Sequence, residues 1–448
     1  VLVGGRVSAE DAYAYGKFAR VVLGTNDVDF RARPHSAAET AFLAEHVVAT
    51  GPAGGAVTYA DLSEAKAVVL VGFEPEEESP IVFLRLRRAV RKARTAVYAV
   101  APFASHGLEK LSGTLLSTVP GAEAAALADP SLAAALAGGG IILVGERMAT
   151  SPGALAAAVS LAASTGARLA WIPRRAGERG ALEAGALGAL LPGGRPVTDA
   201  VARGEVAAVW EVDSLPSAPG RDTAGIVAAA ASGALGALVV GGVDPADLAL
   251  PQVTAALAKA FVISLEVRES AVTAVADVVL PVAPHAEKSG SFVNWEGRVR
   301  PFEAALSTNA MSDHRVLDML AAELGFFMET RTHEQINDQF EALGPWTGAR
   351  AAANAAAAGS GATAYGSGDG DVVLATWPLL LDRGRMQDGE PFLAGTAHAS
   401  VARVGATLAG RLGVTDGDAV TVSSGSGALS VPVAVTDGMV DGVVWLPT

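Results

Sequence analysis

Short apolar runs, each followed by a glycine-containing turn and a helical pattern, recur through more than half of this 448-residue chain. Runs that are apolar throughout are typical of strands buried on both faces, and strands that alternate with helices pair in parallel. The sequence therefore predicts an α/β protein built on parallel sheets with right-handed crossover connections. A further apolar run, at residues 206–210, is interpreted as one more strand. The principal runs lie at residues 1–3, 67–71, 96–100, 141–144, 168–172, 237–240 and 261–265.

Two of the predicted turns resemble each other and directly follow strands. The first reads VGFEP and contains Gly72 and Glu74, and the second reads VGGVDP and contains Gly242 and Asp244. Ligands bind at the carboxyl edge of open α/β sheets, where glycine could admit a phosphate group or simply permit a tight turn. Because neither a Walker motif nor a G-x-G-x-x-G motif after a strand is present, the sequence disfavours a classical ATP or dinucleotide site.

A polar loop follows a buried-strand pattern at residues 278–280, within the stretch ADVVLPVAPHAEKSGSFVNWEGRVRP of residues 276–301. The loop contains Glu287, Asn294 and Arg298. Polar and aromatic groups on a loop carried by a strand fit a binding edge on a rigid sheet. Asn and Gly in such a loop can equally serve only to shape turns, so the residues alone leave both interpretations open.

Two internal stretches have simpler interpretations. The apolar residues 153–172 are interrupted by Gly166 and Arg168, which favours a helix plus a strand over a membrane span. The glycine spacing of residues 174–194 argues against one long helix. The arginines of this second stretch could bind an anion, although a solvated loop is the preferred interpretation; they are Arg174, Arg175 and Arg179.

The last part of the chain differs in kind from the rest. Residues 351–371 consist mainly of Ala, Gly and Ser, which is the composition of a flexible linker. The short strand patterns that follow this stretch have the spacing of a small all-β barrel, which would contain roughly 75 residues. The strand patterns lie at residues 372–376, 420–422, 430–435 and 443–446.

Composition excludes several functions. The net charge of −14 disfavours nucleic acid and anionic membranes as partners, since both require a basic face. The chain contains no cysteine, and therefore no disulfide, thiolate nucleophile or cysteine-ligated cluster. Its seven histidines are not paired at metal-ligand spacing, and no G-x-S-x-G elbow occurs. The residues alone predict neither an evident catalytic group nor a metal site.

In their order and spacing, several motifs resemble the molybdopterin oxidoreductase superfamily. The pattern ADVVLP…E…G-x-F-x-N-x-EGR ends at Arg298, and YGKFARVVLGTNDVDFRAR ends at Arg33. The two glycine–acid–proline turns match the nucleotide-pocket units of that family, and the resemblance covers nearly the whole chain. It implies Rossmann-like parallel-sheet domains of the formate dehydrogenase and DMSO reductase type, followed by a C-terminal double-psi β-barrel.

On this resemblance we expect four parts. Residues 1–30 and 136–345 would form a discontinuous α/β domain, with an inserted α/β domain at residues 31–135. A linker at residues 346–371 would precede a barrel at residues 372–448 that is similar to molybdopterin-dinucleotide-binding domains.

Departures from the family pattern indicate which members of the superfamily the chain resembles most. Formate dehydrogenases place a cysteine or selenocysteine just after the segment that ends here at Arg33, but this chain has Pro34, His35 and Ser36 there. The Asp-Pro-Arg expected to grip the pterin nucleotide is replaced by Ala-Pro-Phe at residues 101–103. A molybdopterin fold without its metal ligand resembles the large iron–sulfur subunits (the G subunits) of complex I, the proton-pumping NADH:quinone oxidoreductase.

That resemblance implies a scaffold that supports electron transfer from NADH to quinone and has no catalytic residue, metal site or cofactor of its own. Iron–sulfur clusters would be bound by a preceding cysteine-rich portion, and molybdopterin is not expected. The expected partners are that portion and other peripheral-arm subunits. The expected location is cytoplasmic, at the inner face of the plasma membrane, without membrane insertion. Remnants of the old pocket, retained for hydrogen bonding or turn geometry, would be Gly72, Glu74, Gly242, Asp244, Glu266, Glu287, Asn294 and Arg298.

Two other classes of function remain open at this point. One is an active molybdopterin-dependent oxidoreductase similar to formate dehydrogenases, with an unusual non-thiolate ligand such as His35 or with a bare oxo/hydroxo site. The other is a non-catalytic small-molecule binding module with Rossmann-like halves and no electron-transfer partner. Metal analysis would distinguish the first class from a scaffold. A test for association with complex I subunits would distinguish the second class from a scaffold.

Overall fold

In a computed structural model of the chain, the described residues form two compact units. Unit 1 comprises Val1–Gly55 and Arg175–Ala357, and unit 2 comprises Ala56–Arg174 and Ala358–Thr448. Most of the predicted linker lies outside the described residues, which are 1–351, 371–382, 384–425 and 427–448. No helix in these ranges is both long and apolar enough to span a membrane.

Unit 1 is organised around a four-stranded parallel sheet, as the apolar runs predict. Its strands, in order of pairing, are β1 (Leu2–Val3), β9 (Ala237–Gly241), β10 (Phe261–Glu266) and β11 (Val278–Pro281). Side chains of the sheet pack with those of two helices, α12 (Thr223–Ser232) and α13 (Val253–Lys259), in one buried apolar cluster. The remaining elements are α1 (Ala9–Val21), α2 (Ala37–Phe42), α10 (Glu178–Glu183), β7 (Leu190–Leu191), β8 (Arg195–Pro196), α11 (Ala200–Val209), β12 (Gly290–Val293), β13 (Val299–Phe302), α14 (Asp313–Glu323) and α15 (His333–Leu343).

Two sequence predictions for unit 1 are wrong in part. Strand β11 exists but is not buried, because it lies at the edge of the sheet, and its Val278 and Val279 are 36% and 43% exposed. The run at residues 206–210 is not a strand: it belongs mainly to α11, whose N-terminus is capped by the side chain of Asp199. Alanine-rich apolar runs satisfy the spacing of a buried helix face as well as that of a strand.

Unit 2 contains a five-stranded parallel sheet. Its strands, in order of pairing, are β4 (Thr114–Ser117), β3 (Ala96–Ala101), β2 (Ala67–Val71), β5 (Ile141–Gly145) and β6 (Arg168–Ile172). Every residue of β2 and β5 is buried, as expected for central strands. The helices of this unit are α3 (Tyr59–Glu64), α4 (Pro75–Glu78), α5 (Pro80–Ala93), α6 (His106–Lys110), α7 (Glu123–Ala126), α8 (Pro130–Leu136), α9 (Ala154–Thr165), α16 (Pro391–Ala394) and α17 (Ala406–Leu412).

The C-terminal strands of unit 2 form a second five-stranded sheet with both parallel and antiparallel pairs. In order of pairing they are β14 (Val373–Trp377), β18 (Val443–Pro447), β15 (Ala402–Gly405), β17 (Gly427–Thr436) and β16 (Ala419–Ser424). The four predicted strands are present, and β15 is an additional one. The pairings do not establish a double-psi barrel, which stays a prediction.

The boundaries of the two units do not coincide with the predicted domain boundaries, which stay a prediction. The predicted inserted domain begins at residue 31 and ends at residue 135, whereas the first segment of unit 2 runs from residue 56 to residue 174. The physical reason is strand pairing: β5 pairs with β2, and β6 pairs with β5, so both later strands complete the sheet of unit 2. Apolar runs identify strands but not their neighbours.

Candidate functional site

The strand order in unit 2 reverses between β2 and β5. The chain proceeds outward from β2 to β3 and β4, and then returns to the other side of β2 with β5 and β6. In open α/β sheets such a reversal opens a crevice at the carboxyl ends of the two strands, and ligands bind there. Two of the predicted site residues, Gly72 and Glu74, follow β2 at this position. We therefore take this crevice as the candidate site of unit 2.

Protein atoms fill the space beside Gly72. A Cβ atom on Gly72 would lie 2.5 Å from Cε of Met148, a buried residue in the 3-10 helix Glu146–Thr150 that follows β5. A Cβ atom on Gly145 would lie 2.1 Å from the carbonyl oxygen of Gly72. Gly72 also has a φ of +57°, a conformation that favours glycine. The two loops pack directly on each other, so glycine here serves a tight turn and a close backbone approach.

The carboxylate of Glu74 binds its own chain. It accepts hydrogen bonds from the backbone N–H of Glu76, at 3.3 Å, and from Oγ of Ser105, at 2.5 Å. The first of these bonds caps α4. Burial raises the pKa of Glu74 to about 7, although the Ser105 hydrogen bond opposes the shift. Nearby, Arg147 Nη1 lies 2.6 Å from Oε2 of Glu78 and thereby links the loop after β5 to α4.

The corresponding edge of unit 1 has the same type of turn. Gly242 has a φ of +62°, and a Cβ atom on Gly4 would lie 2.2 Å from the Gly242 carbonyl oxygen. The side chain of Asp244 accepts a hydrogen bond from the N–H of Ala246 at 3.1 Å and caps the 3-10 helix Pro245–Leu248. Glu266 is the last residue of β10 and lies at this same edge. In both units, therefore, a left-handed glycine precedes an acid that caps the next helical turn.

The other predicted site residues lie on the segment that leads into and through the β12–β13 hairpin. Asn294 Oδ1 accepts hydrogen bonds from the N–H groups of Glu296 and Arg298, at 3.1 and 3.0 Å. The exposed Arg298 lies with its Nε 3.4 Å from Oε2 of Glu296. Glu287 ends a short 3-10 helix, and its N–H donates to the carbonyl of Pro284 at 2.9 Å. The side chain of Asn294 thus shapes the hairpin turn.

His35 occupies the position at which the resemblance places the metal-binding residue. Its Nδ1–H donates to the carbonyl oxygen of Arg33 at 2.8 Å, and its Nε2 lies 3.5 Å from Oδ2 of Asp222. Burial lowers the pKa of His35, but the interaction with Asp222, the charge of Asp29 and the hydrogen bond to Arg33 together outweigh burial, and the pKa is raised. The hydroxyl of the adjacent Ser36 accepts from the N–H of Glu39 and caps α2. Both ring nitrogens therefore face partners within the chain.

A network of buried ion pairs fixes the backbone around His35. Arg31 Nη2 lies 2.7 Å from Asp29, while Arg33 contacts Glu39 at 2.8 Å and Glu178 at 2.9 Å. All five side chains are buried. This network is not evident from the sequence motifs. The one signal available was the alternation of charged and apolar residues in the segment DVDFRAR, which is unusual for an exposed loop.

The interpretation of residues 174–194 as a solvated loop is wrong for two of its three arginines. Arg174 is partly exposed, with its Nη2 2.5 Å from Oδ2 of Asp382. Arg175 and Arg179 are buried in unit 1. Arg179 lies 2.7 Å from Glu183 one helical turn further along, and Arg175 lies 2.9 Å from Asp247. As predicted, the glycine-rich stretch does not form one long helix. The short helix α10 packs in the interior; Arg179 belongs to it, and Arg175 precedes it.

A second buried cluster joins α1, the β12–β13 region and α14. Lys288 Nζ donates to Asp11 at 2.7 Å and to Asp313 at 2.9 Å, and Tyr15 OH donates to Asp313 at 2.9 Å. Burial opposes ionisation of Asp11, but the charges of Lys288 and His314 lower its pKa to about 2. Burial and the charge of Asp11 raise the pKa of Asp313. A single lysine thus binds two buried carboxyl groups that approach it from different elements.

The residue that replaces the expected nucleotide-gripping arginine is part of an aromatic cluster. Phe103 is buried, with its ring centroid 5.0 Å from that of Trp377 and 5.9 Å from that of Trp445. In the described ranges, no group of three or more His, Asp or Glu side chains could bind a metal ion. Phe103 and His35 therefore both contact other residues of the protein.

Comparisons with known proteins agree with the motifs. The family Molybdopterin oxidoreductase matches residues 1–321, and the Molydopterin dinucleotide binding domain matches residues 385–448. The G subunit of NADH-quinone oxidoreductase is 57% identical in Mycobacterium tuberculosis and 51% identical in Streptomyces coelicolor, in both cases over the whole of this chain. The chain spans 56% of the length of each relative. Among solved structures, acetylene hydratase from Pelobacter acetylenicus matches with a TM-score of 0.49 and 13% identity, over 92% of this chain and 73% of that one.

Proposed function

The chain belongs to the molybdopterin oxidoreductase family, and on that premise we propose that it is a cofactor-free scaffold within the large iron–sulfur subunit of an NADH:quinone oxidoreductase. Its similarity to the G subunits of that enzyme extends over its whole length. In this proposal the family fold is retained and its redox chemistry has been lost.

The observation that carries the proposal is the environment of His35. His35 is the candidate metal ligand at this position, and an imidazole binds a metal ion through a ring nitrogen that is free of other partners. The chain has no cysteine, and both nitrogens of His35 face Arg33 and Asp222. An active oxidoreductase with His35 as the ligand would have to break these contacts and expose the imidazole. We therefore assign His35 a structural role.

The crevice of unit 2 supports the same proposal. A nucleotide needs open space and donors at the carboxyl ends of β2 and β5. Met148 packs at Gly72, and the Glu74 carboxylate is used by the chain itself. Phe103, in place of an arginine, packs with two tryptophans and offers no charge to a phosphate. The glycines, Asn294 and the acids of the old pocket are retained, in this proposal, because they shape turns and cap helices.

A scaffold contributes to electron transfer by rigidity. Electrons pass between clusters by tunnelling, so the clusters must be held at fixed spacing in a matrix that excludes water. The buried ion pairs of Arg31 and Arg33 and the Lys288 cluster restrain several elements of unit 1 at once. In this proposal the scaffold packs against the cluster-binding portion of its own subunit and against other peripheral-arm subunits, at the inner face of the plasma membrane.

The experiment that tests the proposal is the substitution His35→Ala in the full-length protein, expressed in its native cells. The measured quantity is NADH:quinone turnover per assembled complex, so that a lower yield of complex is not mistaken for lost catalysis. A scaffold predicts turnover within about twofold of wild type. The matched control is His46→Ala, which removes a half-buried histidine whose Nε2 lies 3.8 Å from the adjacent Glu45 and whose ring centroid lies 5.7 Å from that of Phe42.

A different result would separate the alternatives. If His35 is a metal ligand, His35→Ala abolishes a redox activity and the bound metal together, while His46→Ala affects neither. If the chain is an independent small-molecule binding module, the full-length protein does not copurify with complex I subunits at all. Either outcome would overturn the scaffold proposal.

A further inference from the structure

Helix α5 carries a strongly basic solvent-facing surface on an otherwise acidic chain. The helix contains no Asp or Glu, and its five charged residues together with the residue after it account for six of the chain's 33 Lys and Arg residues. All six side chains belong to exposed residues, and we call them the α5 basic surface: Arg85, Arg87, Arg88, Arg91, Lys92 and Arg94. The net charge of the chain is −14, so these cations are concentrated rather than evenly distributed.

Most of these cations have no acidic partner in the part of the chain that the structure describes. Arg85 lies over the ring of Tyr59, with its Cζ 5.8 Å from the ring centroid. The other five residues of the α5 basic surface form no ion pair within the described ranges. By contrast, Arg31, Arg33 and Lys288 of unit 1 are all paired with carboxylates.

The arrangement is unfavourable for the helix itself. Arg88 is followed by cations three and four residues later, at Arg91 and Lys92, and Arg87 is followed by Arg91. Like charges at these spacings face each other on a helix and destabilise it. The helix dipole favours cations only in the last turn, which contains Arg91 and Lys92. A chain of net charge −14 does not need these cations for solubility, so their clustering calls for another explanation.

The residue types fit a protein surface as the counterpart. Five of the six cations are arginines, whose planar guanidinium groups bind carboxylates through two parallel hydrogen bonds. Ile81 and Leu84, also on α5, are 53% and 56% exposed. Protein interfaces typically combine arginine and apolar residues with few lysines. The α5 basic surface and its two apolar neighbours have this composition.

A membrane surface fits less well. A helix that lies in a lipid interface buries a continuous apolar face in the bilayer. The apolar face of α5, which includes Val82, Phe83 and Leu86, is instead buried within unit 2. The two exposed apolar residues are too few to replace it.

We propose that the α5 basic surface is a docking surface for a carboxylate-rich surface of another protein in the same assembly. The proposal rests on the proposed function for the existence of that assembly. In the docked state, carboxylates of the partner pair with the arginines of α5 and relieve the repulsion among them, while Ile81 and Leu84 are covered.

The first test is zero-length cross-linking of the native assembly with a carbodiimide, which joins a lysine amine directly to a carboxylate. Lys92 is the one amine of the α5 basic surface. We expect mass spectrometry to find Lys92 joined to an Asp or Glu residue of another protein. Absence of every such cross-link, in preparations where cross-links form elsewhere, would count against the proposal.

The second test uses charge reversal in the full-length protein. The variant R87E/R88E/R91E is compared with the control R300E/R315E/R331E, which reverses three exposed arginines of unit 1 that form no ion pair in the described ranges. We expect recovery of copurifying subunits to fall roughly tenfold or more in the α5 variant and to stay within about twofold in the control. The variant R87Q/R88Q/R91Q, with good helix formers and no reversed charge, should show an intermediate loss while melting like wild type.

The outcomes are separable. Equal recovery from the α5 variant and the control overturns the docking surface. Binding of wild type, but not of the α5 variant, to phosphatidylglycerol vesicles in the absence of protein cross-links would assign the surface to a membrane and also overturn it. If the same preparation contains stoichiometric pterin, the scaffold proposal fails, yet cross-links from Lys92 would still support docking.

Discussion

Replacing Lys288 by methionine should strongly destabilise unit 1. The lysine is only 8% exposed and donates to Asp11 and Asp313, whose side chains are 0% and 5% exposed. The substitution Lys288→Met keeps most of the side-chain volume but leaves two buried carboxyl groups without their cation. Removing one partner of a buried ion pair costs about 3–5 kcal/mol of unfolding free energy. We expect Lys288→Met to reach that range.

The matched control is Lys110→Met in unit 2. Lys110 also pairs with a carboxylate, at 2.5 Å from Glu76, but its side chain is 31% exposed. A solvent-exposed pair contributes about 1 kcal/mol or less. Hydrogen exchange measured by mass spectrometry reports unfolding free energies for peptides of each unit separately. Protection in α1 and α14 should fall in Lys288→Met and remain unchanged in Lys110→Met.

The dependence on pH provides an internal check. In the wild type the pKa of Asp11 is lowered to about 2, so its stabilising contribution is present above its unfolded pKa and lost as the pH falls towards 2. Without Lys288, burial would raise the pKa of both carboxyl groups above their unfolded values, and protonation would relieve the folded state. The difference between wild type and Lys288→Met should therefore shrink as the pH falls below about 4. A difference below about 1 kcal/mol at neutral pH, or one that grows in acid, would refute this reasoning.

Two further perturbations test the packing of the unit 2 crevice. Gly145→Ala places a Cβ atom 2.1 Å from the Gly72 carbonyl oxygen and should lower the unfolding free energy by about 3 kcal/mol in thermal melts. The control is Gly410→Ala in α17, where nothing lies within 4 Å of the added Cβ atom; it should be neutral or slightly stabilising in the same melts. Because burial raises the pKa of Glu74 to about 7, its folded pKa exceeds its unfolded pKa, and stability should fall by up to about 3 kcal/mol as the pH rises from about 4.5 to 7. Glu74→Gln should remove this pH dependence of the unfolding free energy, measured for unit 2 by urea unfolding at each pH. An unchanged pH dependence would assign it to another group.

The parallel sheets could be predicted because their signal is local. Strands buried on both faces must be apolar throughout, and the runs at β2 and β5 are fully buried in the structure. The start of α1 has a similarly local cause, since the side chain of Ser8 accepts a hydrogen bond from the N–H of Asp11 and caps the helix. By contrast, the exposure of β11 depends on the absence of a further strand beside it, which is not a property of its own residues.

The candidate site was only partly predictable. The glycines and acids of the two similar turns are where the sequence placed them, and the structure distinguishes tight turns from open pockets through contacts such as that between Met148 and Gly72. The partners of buried charges could not be found from the sequence. Lys288 and Asp11 are separated by 277 positions, and no local pattern marks either residue as buried. Such pairs exist because the fold brings their elements together.

The central claim is that the family fold here has no pterin and no molybdenum or tungsten. The most direct test is elemental analysis and pterin assay of the full-length protein, purified within its native complex and quantified per chain. The scaffold account predicts metal and pterin close to zero, alongside iron from the clusters. About one pterin and one metal ion per chain would contradict it, and would mean that the contacts of His35, Met148 and Phe103 rearrange to admit a cofactor.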